Sequence, residues 1–80
     1  MAYTIKGLAK ANDCESLDCY GLANLWQYWY TCNSNEHGRN HIRNDFKLLR
    51  NADKQEMLSW LRMNSDYYYD VLVAIESKLF

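Results

Sequence analysis

One segment, residues 16 to 32 (SLDCYGLANLWQYWYTC), constrains the fold more than any other part of the sequence. On a helix that turns about 100° per residue, its tyrosines flank a face of four large apolar side chains, Leu22, Leu25, Trp26 and Trp29. A narrow polar strip of Asn24, Gln27 and Thr31 lies roughly opposite. Because a helix that is apolar around most of its circumference needs cover on several sides, we expect this segment to be the central helix.

Apolar residues recur at helical spacing in three further segments. The first spans residues 39 to 50. The second segment begins at Asp53 and Glu56, which fit a capping pattern. The third begins after Ser65, which we expect to be its N-cap. Lys78 lies near the C-terminal end of this third helix, where the helix dipole favours a positive charge. Their expected core residues are Ile42, Phe46 and Leu49, then Met57, Leu58, Trp60 and Leu61, and finally Tyr68, Leu72, Ile75 and Leu79.

The connections complete the predicted fold. Residues 33 to 38 have the composition of a loop that ends the aromatic helix, and residues 2 to 12 are compatible with either a strand or a helix. Gly21 lies inside the aromatic helix, where we expect a close approach of a second helix. Since the chain has no proline and no hairpin signal, we predict an all-α, compact bundle of four to five short helices around residues 16 to 32.

Length and composition limit the class of protein. Eighty residues make one domain, residues 1 to 80, and 49% hydrophobic with 24% charged residues is typical of a globular chain. The formal net charge of -1 creates no overall field that would favour nucleic acid or an anionic membrane. An odd number of cysteines and no long apolar run predict a cytoplasmic protein without a disulfide framework or a membrane partner.

The cysteines and histidines superficially resemble a zinc site in their spacing, Cys14, Cys19, Cys32, His37 and His41. A helix would place Cys19 and Cys32 about 20 Å apart, which is too far for one tetrahedral ion. A second set, His37, His41 and Asp45, has the spacing of one helix face but no fourth ligand nearby. We therefore expect no metal and no other cofactor.

Catalytic motifs are also missing from the sequence. It has no glycine-rich phosphate loop, no H-E-x-x-H and no G-x-S-x-G. Cys32 and His37 could be paired as nucleophile and base, but nothing places a third residue to orient the histidine. We predict that the protein is not an enzyme.

The surplus of tyrosine is the most suggestive feature. Tyr68 belongs to a core stripe, so its neighbours on either side cannot easily be buried with it. Exposed tyrosines beside carboxylates suit a protein-binding surface, and an equally weighted interpretation is that they cover the rim of the core. The candidate protein-binding residues are Asp66, Tyr67, Tyr69, Asp70, Tyr28 and Tyr30.

A stripe of basic residues supports an alternative function. Arg39, Arg43, Lys47 and Arg50 recur on one face of the helix predicted for residues 39 to 50, and such a face can lie along phosphates. An ordinary solvated polar face is the simpler interpretation. The alternative function is therefore a small regulator that binds nucleic acid through these four residues.

In general character the chain resembles the small phage or mobile-element proteins that block bacterial defences, anti-CRISPR proteins among them. The likeness lies in short length, many tyrosines and asparagines, and the lack of any motif or proline. It implies a non-catalytic module that binds a larger protein or protein complex and blocks it sterically. A homodimer formed through exposed apolar faces is a further alternative.

Overall fold

Five helices make up the part of the chain that the structure describes, and the second of them contacts all the others. The computed structural model describes residues 2–32 and 35–76. Within these ranges no helix has the length and apolar character that crossing a bilayer requires. The all-α bundle around an aromatic central helix is confirmed. In chain order the helices are α1 (Ile5–Ala11), α2 (Cys19–Cys32), α3 (Asn35–Phe46), α4 (Asn51–Met63) and α5 (Ser65–Glu76).

The centre of the core is Trp26 on α2, the largest fully buried side chain. Its indole Nε1 donates a hydrogen bond of 2.7 Å to Oδ2 of Asp45 on α3. The same carboxylate oxygen accepts a hydrogen bond from Nδ2 of Asn12, at the C-terminal end of α1, at 3.2 Å. One carboxylate therefore joins α1, α2 and α3.

The ambiguous N-terminal segment contains both kinds of local structure. Tyr3 forms an isolated parallel bridge with Leu49, through backbone hydrogen bonds from Tyr3 N to Leu48 O and from Arg50 N to Tyr3 O. The helix α1 then begins, and the Thr4 side chain caps it by accepting a hydrogen bond from Gly7 N at 2.9 Å. The bridge ties the start of the chain to the segment between α3 and α4.

The predicted capping role of Asp53 in its own helix is wrong. Arg50 occupies the N-cap position of α4, and Asp53 is a buried residue of the first turn. Oδ1 of Asp53 accepts a hydrogen bond of 3.0 Å from Ile5 N, and Oδ2 accepts one of 2.7 Å from Arg50 Nε. Asp53 thus satisfies a free amide at the start of a different helix, α1.

The start of α2 also differs from the prediction. The helix begins at Cys19 rather than at residue 16, and Asp18 caps it, because Asp18 Oδ1 accepts a hydrogen bond of 3.0 Å from Gly21 N. A Cβ atom on Gly21 would lie 1.9 Å from the Ser16 carbonyl oxygen. Gly21 therefore makes room for the loop that precedes its own helix, not for a second helix.

The loop predicted for residues 33 to 38 and the helix predicted for residues 39 to 50 are both displaced. Residues 33 and 34 lie outside the described residues, and α3 already begins at Asn35. Gly38 is buried inside α3, where a Cβ atom would lie 3.0 Å from the Trp29 carbonyl oxygen of α2. The glycine that signals a loop in the sequence instead allows α3 to approach α2 closely.

The last two helices follow their predicted apolar stripes. Met57 and Leu61 of α4 are fully buried, and Tyr68 and Leu72 of α5 belong to the same core. Ser65 is the first residue of α5 rather than its cap; the preceding residue, Asn64, accepts backbone hydrogen bonds from Tyr67 and Tyr68. Leu58, Trp60 and Ile75 are half-buried against the core, and the predicted positions Lys78 and Leu79 lie outside the described residues.

Replacing Asp53 with asparagine should destabilise the protein and change its response to acid. Hydrogen bonds from Ile5 N and Arg50 lower the pKa of Asp53 below its usual value. The carboxylate therefore stabilises the fold above the unfolded-state pKa of about 3.9, and this contribution is lost as the pH falls through the lower folded-state pKa. We expect Asp53→Asn to cost about 1–2 kcal/mol at pH 7, measured by urea unfolding.

The matched control is Asp70→Asn, which removes an exposed carboxylate that has no ion pair among the described residues. Its free energy of unfolding should match that of the original protein within error. The difference between the original protein and Asp53→Asn should shrink between pH 5 and pH 3. A difference that stays constant over this range would contradict the role assigned to the Asp53 charge.

Candidate interaction surface

Three consecutive tyrosines at the start of α5 separate sharply in exposure. Tyr68 is 4% exposed, whereas Tyr67 and Tyr69 are 69% and 63% exposed. Consecutive positions on a helix point about 100° apart, so the helix that turns Tyr68 inward must turn its neighbours outward. Two large aromatic side chains therefore stand on the surface beside a buried one.

Tyr68 is held in place by both ends of its side chain. Its ring lies 5.2 Å from the ring of Trp60 on α4, and its hydroxyl donates a hydrogen bond of 2.8 Å to Asn24 Oδ1 on α2. Burial, together with the nearby Tyr20 and Tyr67, raises the pKa of Tyr68, which keeps the donating proton on its oxygen. The backbone departs from helical angles at Tyr68, so α5 is kinked at the residue that fixes it to α2.

The outward side of this turn of α5 combines carboxylates with phenol rings. Helical spacing places Asp66 and Asp70 opposite Tyr68, with Tyr67 and Tyr69 on either side of them. All four are exposed, and among the described residues neither carboxylate has an ion-pair partner. We call Asp66, Tyr67, Tyr69 and Asp70 the α5 face.

The two candidate tyrosines of α2 do not share one surface. Tyr28 is 63% exposed, and a hydrogen bond with the Cys32 side chain raises its pKa. Tyr30 is half-buried and packs against the core, so it offers less surface than Tyr28, and its place in the binding surface stays a prediction. The two residues are about 200° apart around the helix, and this rotation alone sends them to different sides.

Sequence reasoning missed Tyr20 as a surface residue. It is 55% exposed and lies near Tyr68, one turn before the Asn24 that binds the Tyr68 hydroxyl. On the same side of α2, Gln27 Nε2 donates a hydrogen bond of 3.2 Å to the Tyr67 carbonyl oxygen. Tyr20 and Tyr28 are eight residues apart, a little more than two helical turns. This spacing is the sequence signal that could have placed both residues on the same side of α2.

The predicted basic stripe is not a single helix face. Since α3 ends at Phe46, Lys47 lies in the turn that follows and Arg50 at the start of α4. Arg43 Nε donates a hydrogen bond of 2.8 Å to the Ala74 carbonyl oxygen of α5, and Arg50 pairs with Asp53. Of the four residues, only Arg39 and Arg43 share α3. Arg43 and Arg50 therefore form contacts that stabilise the fold.

The cysteines and histidines are dispersed. Cys19 is buried at the start of α2 and Cys32 is exposed at its end, while Cys14 is half-buried before the helix. The His41 ring stacks on Trp29 at a centroid distance of 3.9 Å, and Asp45 is engaged by Trp26. Among the described residues, no three potential metal ligands come together.

Two of the thiols are poor nucleophiles. Burial, followed by the nearby Glu56 and Asp18 carboxylates, raises the pKa of Cys19 to about 11. Burial and the carboxylates of Asp45 and Asp13 also raise the pKa of Cys14. Because the thiolate is the reactive form, we expect both side chains to react slowly with alkylating agents and with metal ions at neutral pH.

Comparison of the chain with protein-family models, curated proteins and solved structures gives no significant match. A functional proposal therefore depends on the geometry of the chain itself. The exposed tyrosines and their neighbouring carboxylates are the main features of that geometry which the packing of the fold does not explain.

Alkylation of the native protein should distinguish the three thiols. Because its pKa is raised to about 11, Cys19 stays almost entirely protonated at pH 8, and its burial slows the reaction further. We expect iodoacetamide to modify Cys32 first and to modify Cys14 and Cys19 at least about tenfold more slowly, as read by peptide mass spectrometry. The unfolded protein is the control, in which all three should react at similar rates. Early modification of Cys19 would contradict its placement.

Proposed function

We propose that this protein is a small, non-catalytic module that binds a larger protein or protein complex through the α5 face and the neighbouring Tyr28. The observation that carries the proposal is the exposure of Tyr67 and Tyr69 on either side of the buried Tyr68. The Tyr67 ring packs edge-on against the Tyr68 ring, with the centroids 4.8 Å apart, and yet Tyr67 and Tyr69 are 69% and 63% exposed. Most of the surface of both side chains is therefore open to a partner.

The chemistry of the α5 face suits a protein partner. Tyrosine contributes a large apolar area and a hydroxyl while losing little conformational freedom, and it is enriched among the residues that dominate binding energy. Tyr68, hydrogen-bonded to Asn24 and packed on Trp60, holds the backbone from which Tyr67 and Tyr69 project. A surface organised before binding loses less entropy when the complex forms.

Steric blocking is the mechanism that fits the size and chemistry of the module. The molecule measures 26 × 26 × 22 Å, so binding through one face places a body about as wide as a DNA duplex over the partner's surface. The raised pKa values of Cys14 and Cys19 weigh against nucleophilic catalysis by these thiols. The proposed action is therefore occupation of a site that nucleic acid or another subunit needs.

The proposal extends to the kind of partner. Together with its short, motif-free sequence, the aromatic and acidic face supports a phage or mobile-element inhibitor of a bacterial defence complex, similar in character to anti-CRISPR proteins. Such an inhibitor would act in the cytoplasm, where its three free thiols would stay reduced.

Replacing Tyr67 and Tyr69 together with alanine should weaken partner binding strongly. Each exposed tyrosine that fills a pocket on a partner contributes on the order of 2 kcal/mol, so the double variant should lose at least about a hundredfold in affinity. The measurement is capture from host-cell lysate with and without nuclease, followed by mass spectrometry and by calorimetry on the purified partner.

The matched control is Leu48→Ala with Met63→Ala, which removes two other exposed apolar side chains. Both double variants should keep the far-ultraviolet circular dichroism of the original protein. A single protein captured at near-equal stoichiometry after nuclease, and lost only in the tyrosine variant, is the expected result. Capture that disappears with nuclease, or that survives in the tyrosine variant, would overturn the proposal.

A further inference from the structure

A groove of about 590 Å³ lies between α2 and the segment that joins α1 to α2. The α2 side contributes Tyr20, Leu25 and Tyr28, and the connecting segment contributes Asp13 and Glu15. Among the residues that the structure describes, no lysine or arginine lines the groove. The groove thus combines exposed aromatic rings with carboxylates, beside the Tyr68 contact that joins α2 to α5.

The charged side chains that line the groove, among the described residues, are all carboxylates. Neither Asp13 nor Glu15 forms an ion pair with any described residue. Residues 11 to 38 contain no lysine or arginine at all, although they include four carboxylates. The pKa of Cys14, which also lines the groove, is raised by burial and by Asp45 and Asp13, as expected of a negative local field.

The connecting segment holds these carboxylates on a defined backbone. Asp13 has a φ of 59°, in the left-handed region that aspartate tolerates better than most residues. Backbone hydrogen bonds from Asp13 N to Lys10 O and from Cys14 N to Ala9 O fix this turn to the end of α1. The carboxylates therefore face a partner from a turn that is formed before binding.

We propose that this groove receives an arginine-bearing segment of the protein partner, with guanidinium groups against the rings of Tyr20 and Tyr28 and in contact with the carboxylates of Asp13 and Glu15. The inference rests on the proposed function and extends its binding surface from the α5 face across Tyr20. Tyr20 and Tyr28 are about 12 Å apart along the helix, so the groove suits a segment with more than one basic side chain.

Arginine fits the groove better than lysine does. Its planar guanidinium stacks on tyrosine rings and donates paired hydrogen bonds to carboxylates, whereas the lysine ammonium is a compact and strongly hydrated charge. Phosphate groups of a nucleic acid would be repelled by Asp13 and Glu15. A basic surface on a protein, including one that normally binds nucleic acid, therefore has the complementary chemistry.

The test is a titration of the isotope-labelled protein with hexa-arginine amide and hexa-lysine amide at low salt, followed by two-dimensional NMR. We expect saturable shifts of the amides of residues 12 to 16 and of Tyr20 and Tyr28. Hexa-lysine, which has the same charge, should bind roughly two- to fivefold more weakly because it stacks less well on tyrosine. Binding of both peptides should weaken as salt is added.

Two variants and a control locate the site. Asp13→Asn with Glu15→Gln removes the groove charge while keeping a residue that tolerates positive φ, and it should weaken hexa-arginine binding at least about fivefold. Tyr20→Ala should reduce the preference for arginine over lysine. The control, Glu36→Gln with Glu56→Gln, removes two exposed carboxylates of α3 and α4 that belong neither to the groove nor to the α5 face, and it should leave affinity within about twofold.

Three results would overturn the proposal. The amide shifts could be confined to the α5 face, the two peptides could bind with equal affinity, or neither peptide could cause a saturable shift. The titration uses the purified protein alone, so its outcome is independent of partner capture. A capture experiment that finds no protein partner would end the proposed function, whereas a negative titration with a captured partner would remove only the groove.

Discussion

The hydrogen bond from Trp26 to Asp45 is the interaction on which the rest of the fold depends. A chain of eighty residues has a small core, and a buried indole occupies much of it. An indole N–H left without a partner there would cost about 1–3 kcal/mol, a large share of the stability of a small domain. Asp45 satisfies it and also binds Asn12, so α1, α2 and α3 meet at a single carboxylate.

The surface follows from what this core can hold. With Trp26 at its centre, the core takes one tyrosine of α5, Tyr68, whose hydroxyl needs the acceptor Asn24 on α2. The neighbouring Tyr67 and Tyr69 stay outside, and so do Tyr20 and Tyr28. The hydrogen bond from Tyr68 to Asn24 therefore has two effects. It satisfies a hydroxyl in the core, and it holds the part of α5 that carries the proposed binding surface.

Apolar periodicity was enough to predict the helical class, the central helix and most of the core, because burial repeats with the helical turn. It was not enough for contacts between polar groups distant in sequence. Asp53 has the pattern of a cap for its own helix but caps α1, forty-eight residues away. Gly38 has the composition of a loop but lies at a helix crossing. Such roles depend on neighbours that only the folded chain brings together, whereas the exposure of Tyr20 could have been predicted from its spacing to Tyr28.

Photochemically induced nuclear polarisation would show directly which aromatic side chains are exposed, because it reports which tyrosine, tryptophan and histidine rings a dissolved dye can reach. We expect strong tyrosine signals from Tyr20, Tyr28, Tyr67 and Tyr69, and none from Trp26 or Tyr68. A signal from Trp26 or Tyr68, or silence from both Tyr67 and Tyr69, would contradict this expectation. The assignment uses single tyrosine-to-phenylalanine variants, which change the core least.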